Sequence, residues 1–530
     1  MTISLNSTLG DSLGGGRYSS LLVRNGMAGF ALKRTYNVIQ KNILKNNSRP
    51  LLFSDASWAG SGAHSVALIT DLYRSWSDMK NVISQVLSLS MYGMTATMVD
   101  TCGSLGPIDE DLCTRWTQLA TFMPMVRNYY NSTYREQQTG DRKKTQGTEP
   151  WMAKSDSAKL AYAALGDRLK LSRYLYTQMY LSHANGGSLV KPLFFDYPTD
   201  DQCFTQFAQE STFMLGDSVK VSPLLENKQD GDTYQAYFPA GAWVDIYNTS
   251  NVIQSTDGIV ANLPVYSTQT NIHQKSGTIM PFLYNNKNLR TTRDVELNLK
   301  TTIRVVRDPV TKYAEGHLML DDGISPNIFS PSYFDIYQYH TYDKNFTHYN
   351  IRMSSDKTIN FQLQNGDIDY QLPPNMTYQF LDSIEILNAE DLADSDFACA
   401  LNRTWDPINF TVYYTNSTKT LTLKPKSAGV TFDQLMAVKF GNSTNDVSWC
   451  QGFTYTANLK EDNRTYWRFD LVSTQAPGLL EDLVAEFTLL DDDGSINVEI
   501  TTISDYNVDG DNIFRPPQPE FYTLDKFKAK

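Results

Sequence analysis

The chain has 530 residues, with 46 Lys and Arg against 58 Asp and Glu, a net charge of −12 and 41% hydrophobic residues. A chain of this length buries several cores and is expected to form roughly two to four domains. Its acidic balance, spread without a basic stripe, argues against nucleic acid and an anionic membrane surface as partners and leaves uncharged substrates such as neutral sugars.

No run reaches the length of a membrane-spanning helix, and the first ten residues, MTISLNSTLG, lack the basic and apolar parts of a signal peptide. Eleven N-x-S/T sequons, at Asn6, Asn46, Asn131, Asn248, Asn345, Asn375, Asn402, Asn409, Asn416, Asn442 and Asn463, point the other way, towards secretion, although a chain rich in Asn and Thr produces them by chance. Five cysteines are too few for a disulfide scaffold, and six scattered histidines give no zinc spacing, so neither a metal nor a cofactor is expected.

In chain order, residues 1–25 read as a flexible leader, small and polar with a GGG run. GMAGFALKRTYNVIQKNIL, from Gly26, has helical apolar spacing. Three short apolar runs follow, each finishing in an aspartate: LLFSD at Asp55, SVALITD at Asp71 and TATMVD at Asp100. After Asp100 a loop with Gly103, Gly106 and Pro107 leads into EDLCTRWTQLATF, again helical. A single Asp after a strand is more often a helix cap. Three in succession suggest parallel strands delivering carboxylates to the active-site face of a (β/α) barrel.

REQQTGDRKKTQGTEP reads as a loop, and SAKLAYAALGDRLKLSRYLYTQMYLSHANG as a helix pair. LVKPLFFDYPTDD is expected as the last barrel strand and FMLGDSVKVSPLL as the exit from the barrel. From about Gly231, TYQAYFP, AGAWVDIYN, SGTIMPFLY, TTIRVVRD, HLMLDDGISP and TVYYTNSTKTLTLKP alternate with period two between turn residues, as β-sandwich material does. The last stretch, RPPQPEFYTLDKFKAK, reads as a frayed tail. DYNVDGDN copies the opening of a calcium loop at Asp505, Asn507 and Asp509, but Pro516 stands where the bidentate Glu belongs, so an acidic turn is expected there and at Asp491 to Gly494.

LLFSDASWAGSGAHSVALITDLYRSW, VDTCGSLGPIDEDLCTRW and FMPMVRNYYN resemble, in order and spacing, the second half of the catalytic barrel of glycoside hydrolase family 31. The family patterns there are RPFxLSRSTFAGSG…HWxGDNxxxW, GxDICGF…ELCxRW and FYPFxRNH. The resemblance implies an α/β plus all-β fold. The second half of a (β/α)8 TIM barrel is expected over residues 26–205, a proximal β-sandwich over 206–290, a distal one over 291–430 and a further β-rich region over 431–530.

The resemblance also implies a carbohydrate ligand, an α-glucoside or oligosaccharide. It puts Asp71 at the acid/base position, with Trp76 five residues on, Asp100 on the Asp of DICGF, and Arg115 and Trp116 on the supporting RW. Cys102 and Cys113 match a pair that the family often joins by a disulfide; two small buried thiols would fit the sequence equally. Three departures stand out. Asp55 replaces the substrate-binding Arg, Tyr129 replaces the His of RNH, and beside the acid Leu68, Thr70 and Leu72 replace the aromatic wall and its Gly and Asn neighbours.

Retaining glycosidases need two carboxylates about 5 Å apart, one of them a nucleophile. No WxDMNE-type strand precedes residue 26; WVDIYN copies part of that motif, but Asp245 lies far downstream in β-domain sequence. The nucleophile is therefore expected from an N-terminal half-chain or a longer product. The expected function is hydrolysis of O-glycosidic bonds of α-glucosides in carbohydrate metabolism, incomplete or impaired in this chain as it stands. The alternative is a non-catalytic relative serving as a carbohydrate-associated subunit or scaffold. Family habit and the sequons imply a secretory or lysosomal route, against the lack of a signal peptide.

Overall fold

The computed structural model of the chain describes residues 25–129, 155–284, 289, 291–325, 346–366, 370, 372–402 and 407–442, and the backbone of strands at 8–10, 17–19, 454–458, 467–472, 483–489 and 496–502. Two compact units result, 1–441 and 442–530. In the second, the four strands pair in sequence order as an antiparallel sheet. The acidic turns at Asp491 and Asp505 lie outside the described residues. Within the segment read as a leader, Thr8–Gly10 pairs antiparallel with Arg17–Ser19.

The first unit begins with helix α1 (Met27–Val38), extended by a π-helical turn at Ile39–Ile43. It has no buried residue, and Phe30 is 72% exposed. Four parallel strands follow: β1 (Phe53–Ser54), β2 (Val66–Ile69), β3 (Thr97–Thr101) and β4 (Met125–Asn128), hydrogen-bonded in that order. Parallel strands need crossovers, and helices supply them.

Helix α2 (Trp76–Met91) joins β2 to β3, with Met79, Val82, Ile83, Val86, Leu87 and Ser90 buried at helical steps. Ser75 caps it by accepting from the Asp78 amide. Helix α3 (Glu110–Ala120) joins β3 to β4 and is capped by Asp109, whose Oδ1 accepts from the amides of Asp111 and Leu112. The helix pair read from sequence forms α4 (Ser155–Lys170) and α5 (Ser172–Asn185).

LVKPLFF does not join the parallel ladder. Its strand is only Val190–Lys191, stopped by Pro192, which has no N–H to donate, and it pairs antiparallel with Phe213–Leu215. That contact starts a six-stranded sheet running through Val219–Ser222, Asn271–Lys275 and Gly241–Asp245 to Val252–Ser255. One apolar core spans both sheets, with Ile69, Val82, Val99 and Trp116 on one side and Phe213, Val221 and Ile272 on the other.

The remaining β-strands, from Thr278 to Gly441, close into a ring of ten around Ile303, Tyr349, Ile351, Phe361, Ile384, Leu423 and Phe432. Thr278–Phe282 is the seam, antiparallel to Thr301–Val306 on one side and parallel to Ala314–Asp321 on the other. Gly316 makes the seam possible, because a Cβ there would lie 1.9 Å from the Ile279 carbonyl oxygen. Arg49, just ahead of β1, ties the parallel sheet to the ring. It pairs with Asp321, donates from Nε to the Ser325 carbonyl at 2.8 Å and from Nη1 to the Tyr176 hydroxyl at 2.7 Å.

Among the described residues no helix is long and apolar enough to cross a membrane. Of the sequon asparagines, Asn46, Asn248, Asn375, Asn409 and Asn416 are exposed.

A lysine is among the charged residues that the core encloses. Lys220 is fully buried in the six-stranded sheet, its Nζ 2.6 Å from Ser222 Oγ and 3.8 Å from the centre of the Phe238 ring. Burial holds its amine well below the usual lysine range, and burial likewise pulls nearby His273 down to about 3. The unfolded lysine stays protonated up to pH about 10.4, so below that pH the unfolded state binds the extra proton and stability falls as pH falls.

Lys220→Met should therefore raise the Tm at pH 7. The gap between variant and parent should narrow as pH approaches 10. Parallel Tm–pH curves in a thermal-melt series would contradict this account of Lys220.

Candidate active site

The register of the parallel sheet places the polar groups. Asp100 on β3 is paired with Arg127 on β4, and Thr101 with Asn128. Partners in register project to the same face. Arg127 Nε accordingly donates to Asp100 Oδ1 at 2.7 Å, and Asn128 Nδ2 to Thr101 Oγ1 at 2.7 Å. Asp100 is buried, and its Oδ2 has no hydrogen-bond partner among the described residues.

The ion pair affects its two members differently. The hydrogen bond to Asp100 raises the proton affinity of Arg127. Burial raises the Asp100 carboxyl, and this outweighs the guanidinium that lowers it. One partner does not offset the removal of a carboxylate from water. The negative charges of Asp71 and Asp55 push Asp100 further in the same direction, so both stand near it at the C-terminal end of the sheet. The Arg127 guanidinium also lies over the Tyr129 ring, 4.7 Å from its centre.

Asp55 stands one residue past β1 and Asp71 two past β2; both are exposed. Asp71 has φ +58°, the left-handed region, as do Cys102 at +65° and Gly103 at +68°. Such conformations cost non-glycine residues about 1–3 kcal/mol and persist where their surroundings over-determine them. Here the Leu72 carbonyl accepts from the amides of Ser104 at 2.9 Å and Leu105 at 3.1 Å, and the Arg74 amide donates to the Leu105 carbonyl at 2.9 Å. Asp78 Oδ2 accepts from the Tyr73 amide at 2.8 Å. A Cβ on Gly103 would lie 2.9 Å from the Leu72 oxygen. Cys102 and Cys113 are joined by a disulfide, with Cα atoms 4.4 Å apart.

The two residues of the RW pair have different surroundings. Trp116 is buried in the core against the sheet. Its neighbour Arg115, turned about 100° around α3, donates to the carbonyl of Tyr266 and to Gln118, which in turn donates to the Ser267 carbonyl at 2.7 Å. Both brace α3 against its surroundings. Asp245 ends its strand and holds the turn after it: its Oδ1 accepts from the amides of Tyr247 at 2.8 Å and Asn248 at 3.2 Å.

Arg127 was not singled out from the sequence, although it is the Arg of FMPMVRNYYN; the signal was its offset from Asp100, which becomes meaningful only with the register. Among the described residues no three His, Cys, Asp or Glu side chains converge to hold a metal ion. The chemistry available is that of an exposed carboxylate, Asp71, beside a buried acid–guanidinium pair, suited to exchanging a proton with a hydroxylated ligand.

Comparison with known proteins places these elements. Residues 16–178 match the TIM-barrel domain of the glycosyl hydrolases of family 31, and residues 186–280 the C-terminal domain of the same family. Among curated proteins, an alpha-glucosidase of Hordeum vulgare is 32% identical over 287 residues, covering 54% of this chain and 30% of that protein. Alpha-xylosidase 1 of Arabidopsis thaliana is 29% identical over 283 residues, covering 53% and 28%. This chain thus spans about 30% of the length of these relatives.

Among solved structures, glucosidase II alpha subunit in its alpha3-Glc2-bound form aligns with a TM-score of 0.67 at 19% identity, over 80% of this chain and 43% of that one. A Flavobacterium johnsoniae dextranase of family 31, complexed with glucose, aligns with a TM-score of 0.63 at 17% identity, over 80% and 50%. At these identities the likeness is one of fold. With two consecutive domain matches laid over a parallel sheet that ends in aspartates and the antiparallel sheet that follows it, the chain belongs to glycoside hydrolase family 31.

Proposed function

We propose that this chain carries the acid/base side of an α-glucoside-hydrolysing site, with Asp71 as acid/base and Asp100, held by Arg127, among the groups that orient the sugar. The observation that carries the reading is the open parallel sheet. Four described strands bring three aspartates to one end, whereas a closed (β/α) barrel takes about eight strands. Around the β1 edge Phe30, Leu51, Phe53 and Trp58 are exposed, apolar surface that a closed barrel would cover.

Four further parallel strands, from the same polypeptide or a second chain, would cover that edge and bring the nucleophile opposite Asp71. In a retaining mechanism Asp71 would protonate the leaving oxygen while the nucleophile forms the glycosyl intermediate, and would then deprotonate the attacking water. The carbohydrate partner is supported by relatives described as an alpha-glucosidase and an alpha-xylosidase and by a dextranase complexed with glucose. The domain limits we propose are those the resemblance implies, with Val190–Lys191 assigned to the six-stranded sheet and the seam strand Thr278–Phe282 to the ring.

A second reading, a non-catalytic relative, is favoured by Asp55 and Tyr129. An acceptor-only carboxylate stands where the family pattern has a five-donor guanidinium, and a phenol where it has an imidazole. Both changes weaken neutral-sugar binding without touching the fold.

The purified chain should release no chromogenic group from an aryl α-glucoside, since losing a catalytic carboxylate of this kind removes several orders of magnitude in rate. Mixed with the barrel half that precedes the matched region in a family relative, it should gain turnover that Asp71→Asn abolishes. If a productive complex forms and no Asp71-dependent turnover appears, the non-catalytic reading replaces ours. Turnover by the unmixed chain that Asp71→Asn removes would mean that an unidentified carboxylate already serves as nucleophile.

Replacing Asp55→Arg and Tyr129→His together should tighten binding of a neutral glucoside, measured by titration calorimetry, and leave the unmixed chain without turnover. A double variant that binds no better than the parent would show that these two positions do not set sugar affinity.

A further inference from the structure

The residue that bears the proposed acid lies outside regular structure. Asp71 follows β2 in a left-handed conformation, and the turn continues to the Ser75 cap of α2. Much of the order in that turn comes from a different loop, the one between β3 and α3. Two amides of that loop, those of Ser104 and Leu105, converge on the single Leu72 carbonyl, and its Leu105 carbonyl accepts from Arg74. Arg74 also donates through its guanidinium to the Gly106 carbonyl. The donor loop has little regular structure either: Cys102, Gly103 and Gly106 all have positive φ. What fixes both its ends is the bond from Cys102, next after β3, to Cys113 in the first turns of α3.

We propose that the Cys102–Cys113 disulfide is the positioning element of the Asp71 turn, so that the thiol–disulfide state of the surroundings governs where the Asp71 carboxylate is held. The inference rests on Asp71 being the acid/base for its catalytic meaning; the positional coupling itself does not depend on turnover. Cys102 is buried, but Cys113 is partly exposed, which gives a dithiol a sulfur to attack. In that reaction the S–S bond breaks, Cys102 and Cys113 each end as a protonated thiol, and the dithiol, having given two electrons and two protons, leaves as its cyclic disulfide.

The consequence is local. Freed at Cys113, the loop regains backbone freedom that the closed ring denied it, and the three hydrogen bonds between residues 72–74 and 104–105 are the first to open. Helices α2 and α3, held by the core through Val82 and Leu119, keep theirs.

Amide hydrogen exchange of the full chain, followed by NMR with and without dithiothreitol, tests this. On reduction the amides of Arg74, Ser104 and Leu105 should exchange roughly tenfold faster or more, together, while those of Val82 and Leu119 keep their rates, and reoxidation should restore protection. Gly103→Ala with the disulfide intact should give the same three-amide signature, because its Cβ meets the Leu72 carbonyl oxygen.

Two results overturn the proposal: the three amides staying protected after reduction, or their accelerating by the same factor as Val82 and Leu119, which would make the disulfide a general stabiliser. If the three-amide signature appears while the completed barrel shows no Asp71-dependent turnover, the coupling stands and the assignment of Asp71 as acid fails.

Discussion

A parallel ladder has to be covered on its faces and completed at its edges, and much of this molecule follows from how it meets the first demand. The short strands β1 to β4 contribute few backbone hydrogen bonds, and their order comes from what packs on them: α2 and α3 on one side, and through a shared core the six-stranded antiparallel sheet. The same ladder sets the chemistry. Because β3 and β4 run parallel in a fixed register, Asp100 and Arg127 meet at 2.7 Å, and a slip of one residue would send the two side chains to opposite faces. The site is thus a by-product of pairing geometry, with Asp71 added from a turn that a neighbouring loop props up.

The carboxylate pair illustrates how burial and pairing compete. A guanidinium at hydrogen-bonding distance would lower an exposed carboxyl, yet Asp100 ends above its ordinary value because it is buried, with the charges of Asp71 and Asp55 adding to the effect. A group so placed is poorly satisfied in the chain by itself and gains from any donor brought to it, a sugar hydroxyl included.

What the sequence disclosed was whatever depends on near neighbours along the chain. Apolar spacing within GMAGFALKRTYNVIQKNIL placed α1, the Asp after each of three apolar runs placed the strand ends, and EDLCTRWTQLATF placed α3. What it withheld depends on distant pairing. Arg127 was overlooked because its importance lies in a partner one strand away, 27 residues earlier. Arg115 and Trp116 were placed together by the resemblance, yet a helix sends adjacent residues to different faces, and one lies in the core while the other reaches the Tyr266 carbonyl. Period-two alternation identified the β-rich region but not which strands would close the ring, since alternation reports the face of a residue and not its neighbour strand. Lys220 violated the rule that lysines stay outside, so nothing local marked it as core.

The Arg49–Asp321 tie has a consequence in time. The two residues are 272 positions apart, so the anchor of the edge strand is completed only after the ring strand bearing Asp321 has been made. At synthesis rates of roughly 5–20 residues per second, about 14–54 s pass between the two. Throughout that interval β1 has its flanking residues but not its clamp. A segment made earlier on the same ribosome would meet an edge still free to adjust, whereas a separately folded partner arriving afterwards would meet one already locked. Any strand added at this edge would thus meet it clamped or unclamped according to whether it arrives after or before Asp321 is made.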